Sequence, residues 1–168
     1  MKRILINGNK PQYKAALHTH STLCDGHLSP EVIKEGYKAH GYSILAFTNH
    51  EIMYDMTYLS EKDFVMINGY EIATNNDAHS NPLLSQQSAH FCLLAKTPDL
   101  RVQACYHPDY DFIKRKPFEK ESVKSVPPTH ERQHTVEDFN FLIKTANELG
   151  YLVAYNHPAW SLHSGADY

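Results

Sequence analysis

Residues 17–26 read Leu17-His18-Thr19-His20-Ser21-Thr22-Leu23-Cys24-Asp25-Gly26, and the fold and chemistry of the chain are read outward from them. Two imidazoles stand two residues apart, and a carboxylate beside a glycine follows five positions later. Side chains alternate faces along a strand. A strand over 15–20 therefore points His18 and His20 the same way. Two neutral imidazoles projecting together from a strand end make half of a divalent-metal site. Asp25, in the turn beyond, reaches the same mouth or a neighbouring ion. The chain has 12 histidines, so His-x-His alone is weak grounds. The test is whether other donors arrive at corresponding places.

The flanking sequence alternates strand and helix signals. Ile4–Asn7 reads as an edge strand or hairpin arm within an N-terminal extension over 1–13, and Lys14–His18 as the first strand of the body. Ser29-Pro30-Glu31 opens a helix with an N-cap, a proline at the first position and an acid in the first turn. Val32, Ile33, Gly36 and Tyr37 keep one face apolar or small, and Gly41 closes it. Ser43–Thr48 is a nearly continuous apolar run, as in a strand covered on both faces. The sequence predicts a helix over 53–60, a strand over 64–67, a loop over 74–89 and a strand over 90–95. Residues 101–132, with Pro127-Pro128, show no clean period and read as a long loop, with a short helix around 111–116 as the alternative. Thr135 caps the clearest helix, with Asp138 in a variant capping box. Its stripe is Val136, Phe139, Leu142, Ile143, Ala146 and Leu149, and Gly150 stops it. Tyr151–Tyr155 is a further strand. Such alternation points to one domain built on a parallel sheet or barrel.

Composition narrows the class. At 168 residues the chain holds one domain with a substantial core. A 42% apolar and 21% charged composition is that of an ordinary globular protein. A net charge of −3 gives no general attraction to nucleic acid or anionic membranes. No apolar run is long enough to span a bilayer, and residues 7–14 are polar where a signal peptide needs its apolar core. Cys24, Cys92 and Cys105 are widely spaced and odd in number, which suggests reduced thiols in a cytoplasmic protein. Cys24 beside Asp25 is also a possible soft-metal ligand, although a buried thiol is the commoner case.

The remaining donors fall at strand ends. His50 follows the second strand, Glu71 the third and His157 the last, while His90 heads the fourth apolar run. In parallel α/β architectures, functional groups gather at the carboxyl ends of strands. Imidazole plus carboxylate suits Zn²⁺, Mn²⁺ or Fe, and Glu71 can bridge two ions. Neighbouring ions activate water near neutral pH and stabilise the oxygens of phosphoryl transfer. There is no Gly-x-Ser-x-Gly elbow and no Gly-rich phosphate loop, so a serine nucleophile and a nucleotide-binding loop are disfavoured.

Leu17-His18-Thr19-His20-Ser21, Cys24-Asp25-Gly26, Thr48-Asn49-His50-Glu51, Gly69-Tyr70-Glu71, His90-Phe91 and Asn156-His157-Pro158 together resemble the motifs of PHP (polymerase and histidinol phosphatase) domains. The resemblance runs from about residue 14 to about residue 161. It implies a distorted (β/α)7 barrel that holds up to three divalent ions and hydrolyses phosphoesters. Carried over, His18 and His20 bind the first ion and Glu71 bridges it to the second, which His90 and His157 complete. Asp25 and His50 then hold a third. Asn49 stands where the family often has aspartate. The family's last Asp-x-His motif has no match, since Asp167 lacks a histidine two residues on. The resemblance then implies either a piece of a longer barrel, which the unfinished strand–helix alternation favours, or a minimal version that binds fewer metals, with two ions expected.

The resulting expectation is a cytoplasmic, metal-dependent phosphoesterase acting on a small phosphorylated substrate, a nucleotide being compatible. His18, His20, Glu71 and His157 form its catalytic core, and the proton donor to the leaving oxygen is left open among the histidines. Two other readings stand beside it: a non-catalytic metal-binding or regulatory domain, and an amidohydrolase-like metal hydrolase.

Overall fold

A computed structural model of the chain describes residues 10–75, 88–108 and 122–157, and the structural statements below are made of these residues. The main sheet has five strands: β1 (Ala15–Ala16), β2 (Ile44–Phe47), β3 (Val65–Asn75), β4 (Ser88–Ala95) and β7 (Tyr151–Asn156), in the order β1-β2-β3-β4-β7. The first three are mutually parallel. β4 runs antiparallel to both β3 and β7. A separate two-stranded parallel ladder pairs β5 (Gln103–Ala104) with β6 (Ser125–Val126). Two α-helices are present, α1 (Pro30–Ala39) and α2 (Val136–Leu149).

This topology overturns the (β/α)7 barrel. A barrel of that kind needs parallel neighbours joined by helical crossovers, whereas β3 and β4 are antiparallel neighbours, which need none. The alternation of strand and helix signals did not carry strand direction, and parallel pairing throughout was the wrong completion of it. What forms is a small mixed sheet, curved as half a barrel.

Other expectations fail for local reasons. The helix over 53–60 is a single 3-10 turn, Thr57–Leu59. Asp55 accepts hydrogen bonds from both the backbone and the hydroxyl of Thr57 (3.0 and 2.6 Å), a local alternative to helix that Asp and Thr favour. The first strand shrinks to two residues. The 101–132 segment carries β5 and β6 rather than loop alone. The proposed edge strand at 4–7, the short helix at 111–116 and Asp167 lie outside the described residues.

The two helices form as their caps dictate. Ser29 accepts from the Val32 amide and Thr135 from the Asp138 amide. Gly150 ends α2 at φ 104°, a left-handed conformation that glycine adopts without a Cβ clash. Alternation along the strands puts Leu45, Phe47, Met66, Tyr70, Ile72, Phe91 and Leu93 on one sheet face. Ile33 and Tyr37 from α1, and Leu142 and Ala146 from α2, pack on that face in two adjoining clusters. Glu71, His90 and Cys92 belong to the opposite face, so the covered side builds the core and the other side holds the polar centre. No described helix is long and apolar enough to cross a membrane.

Leu142 is fully buried where α2 meets the sheet. Leu142→Ala is expected to destabilise the fold by about 2–5 kcal/mol, measured by denaturant unfolding, because it leaves a cavity at that junction.

Candidate metal centre

Glu71 lies in the middle of β3, on the face away from the helices, and exposes none of its surface. Five imidazoles converge on its carboxylate and divide between its two oxygens. Oε1 faces His90 Nδ1 at 3.0 Å, His157 Nε2 at 3.3 Å and His18 Nε2 at 3.7 Å. Oε2 faces His20 Nε2 and His50 Nδ1, each at 3.2 Å. Asp25 closes the outer side, with Oδ1 at 3.3 Å from His20 Nδ1 and Oδ2 at 3.5 Å from His50 Nε2. All seven sequence-derived ligands, His18, His20, Asp25, His50, Glu71, His90 and His157, thus meet in one place.

Their convergence follows from strand direction. His50 lies just beyond β2 and bridges Glu71 on its parallel neighbour. His157 follows β7, which runs the same way as β3. His90 is near the start of β4, yet β4 is reversed, so its start lies at the end of the sheet where the others finish.

The spacing fits cations. Donors about 2.1 Å from an ion in a tetrahedral shell stand about 3.4 Å apart. His18 Nε2, His157 Nε2 and Glu71 Oε1 form a triangle with edges 3.2, 3.3 and 3.7 Å. His20, His50 and Glu71 form a second such group, and His20, Cys24 and Asp25 a third. Glu71 Oε2 is buried and accepts no hydrogen bond of good geometry, although two imidazole nitrogens stand 3.2 Å from it. Donor atoms at shell spacing but out of hydrogen-bond alignment are what a coordination site presents. The grouping also differs from the family carry-over, because His18 and His20 face different oxygens of Glu71.

A surrounding set of groups orients these side chains. Thr48 Oγ1 and Cys92 Sγ lie 2.6 and 3.1 Å from His18 Nδ1, leaving Nε2 turned to the centre. Asn49 Oδ1 accepts from the Ser21 amide and hydroxyl, tying the 21–26 loop to β2. That loop closes so tightly that a Cβ on Gly26 would stand 2.7 Å from the Ser21 backbone. Glycine is therefore required for Asp25 to arrive. Thr48 and Cys92 were missed as supporting groups. Strand alternation, which puts Cys92 on the His90 face, was the available signal.

Without an ion the protons are unevenly shared. Burial lowers His18, His50 and His157 below the ordinary imidazole value. Burial acts the same way on His20, but its contacts with Cys24 and Glu71 outweigh it and push it up to about 10. Burial would raise Glu71, yet the imidazoles of His20 and His90 hold it well below the usual carboxylate range.

Comparison with protein-family models gives no match, and a search of curated proteins gives no relative. The metal reading accordingly rests on this geometry.

Linkage sets the pH behaviour of the chelator-treated chain. His18, His50 and His157 bind protons more readily unfolded, so their effect is to lower stability as pH falls below about 6.5. Glu71 adds to the acid loss, because its depressed value contributes stability above the unfolded carboxylate range that disappears on protonation. The His20 contribution is full below about 6.5 and lost as pH rises through its folded value. The melting midpoint of the metal-free chain should therefore peak near pH 6.5 and fall on both sides, as read by thermal melts across pH. A midpoint still rising below pH 5 would contradict these assignments.

Proposed function

We propose that the chain is a metal-dependent phosphoesterase that hydrolyses a phosphate ester of a small molecule. The observation that carries this reading is the division of five imidazoles between the two oxygens of one buried carboxylate, which suits a bridged pair of ions. His18, His157 and Glu71 would hold one ion and His20, His50 and Glu71 the other, with His90 on the first side and Asp25 outside the second. Zinc, manganese and iron all suit this donor set. Ions held there would lower the pKa of water and offset charge on phosphate oxygens.

The residues themselves supply orientation and access. Glu71, wholly buried, fixes the spacing of the two sets. His18 and His157 are the more open imidazoles, 31% and 33% exposed, and mark the side from which an ester reaches the centre. His157 stands at φ 38°, a left-handed backbone that turns its ring from the end of β7 toward Glu71. The motif resemblance to PHP domains supports the choice of phosphoester over amide substrates, and the barrel is no part of the reading.

The test is hydrolysis of p-nitrophenyl phosphate and of matched amides with Mn²⁺ or Zn²⁺. Phosphatase turnover should require metal and fall to the chelator-treated background in Glu71→Gln. Tight metal binding without turnover on any phosphoester would sink the catalytic reading in favour of a regulatory metal domain, and preferential amide cleavage would favour the amidohydrolase reading.

A further inference from the structure

The residue after His50 is strained. Glu51 has φ 63°, and the Ile52 amide donates to the His50 carbonyl at 2.7 Å, closing a three-residue turn about Glu51. A turn of this hand in a non-glycine residue persists only where its surroundings impose it. Here the Glu51 amide donates to the Glu71 carbonyl at 2.8 Å, and the Glu71 amide to the Asn49 carbonyl at 3.1 Å. The turn is thus laced to the backbone of the central carboxylate on one side and carries His50 on the other.

The imposing group comes from far away in sequence. The guanidinium of Arg132 donates to both carboxylate oxygens of Glu51, Nη1 to Oε1 at 2.9 Å and Nη2 to Oε2 at 2.5 Å. Nη1 also donates to the Ala73 carbonyl on β3 at 2.8 Å. Both side chains are 1% exposed. Gln103 Nε2 donates to the Glu51 carbonyl at 2.7 Å, while its Oε1 accepts from the Met53 amide. A carboxylate buried this deeply is stable only with a well-aligned cation, and the planar fork of arginine matches both oxygens at once.

We propose that Arg132 is a positioning residue of the metal centre. Locked on Glu51 and on Ala73, it keeps the strained turn closed and so holds His50 Nδ1 against Glu71 Oε2. This rests on reading the His/Glu cluster as a metal centre. It gives the segment before α2 a defined task, exerted through Glu51 and Ala73.

Zinc affinity and melting midpoint separate positioning from mere stability. The variants are Arg132→Met and the double change Glu51→Leu with Arg132→Met, the latter replacing the buried pair by apolar groups, which is often neutral or stabilising. Zinc affinity should fall about 10–100-fold in both variants, the scale of losing a group that orients ligands. The double variant should recover the midpoint without recovering affinity. Arg132→Lys, which keeps charge but not the fork, should fall between. If the unaltered protein binds no zinc, the metal-centre reading itself fails. If it binds zinc, and either the double variant or a folded Arg132→Met matches its affinity, the positioning role is overturned while the centre stands.

Discussion

Burying Glu71 under five imidazoles is the constraint that organises this molecule. An ionised carboxylate without solvent demands compensating charge, and five rings within 3.7 Å of it compete for a few protons. Protons alone answer this demand poorly, because burial disfavours the charged form of three of the imidazoles. Divalent ions answer it well, since each satisfies several lone pairs and cancels the carboxylate charge. Ions held there would stabilise the folded chain, through donor atoms that come together only when the sheet forms.

The sheet meets the constraint by geometry. One face is committed to a core under α1 and α2, which leaves the other free to present polar groups. β2 and β7, running the same way as β3, end beside it and so bring His50 and His157 to Glu71. The reversed β4 brings His90 to the same end from its own start. The Ser21–Gly26 loop then folds over the outer side with His20 and Asp25. The strained backbone at Glu51 lies beside this cluster, where surrounding hydrogen bonds and the Arg132 ion pair impose a conformation that the sequence alone does not favour.

The residues that cluster about Glu71 were legible because their signals are local. His18-x-His20, Asp25-Gly26, Asn49-His50 and the strand-terminal His157 each announce themselves within a few residues. So do both helices, whose Ser29, Thr135, Gly41 and Gly150 boundaries depend only on capping chemistry. Strand direction was not legible, because antiparallel β3–β4 pairing depends on a turn-back that hydrophobic pattern does not encode. The Arg132–Glu51 pair was hidden for a similar reason: 81 residues separate its partners, and nothing near Arg132 marks it as buried. Even the division of His18 from His20 between two oxygens is a tertiary fact, since strand alternation predicts that they act together.

The most direct measurement is anomalous diffraction from crystals of the zinc-loaded protein. The account requires two ions flanking Glu71, one bonded to Oε1 with His18 and His157, the other to Oε2 with His20 and His50. A single ion, or ions bound elsewhere while Glu71 contacts only protonated histidines, would contradict it.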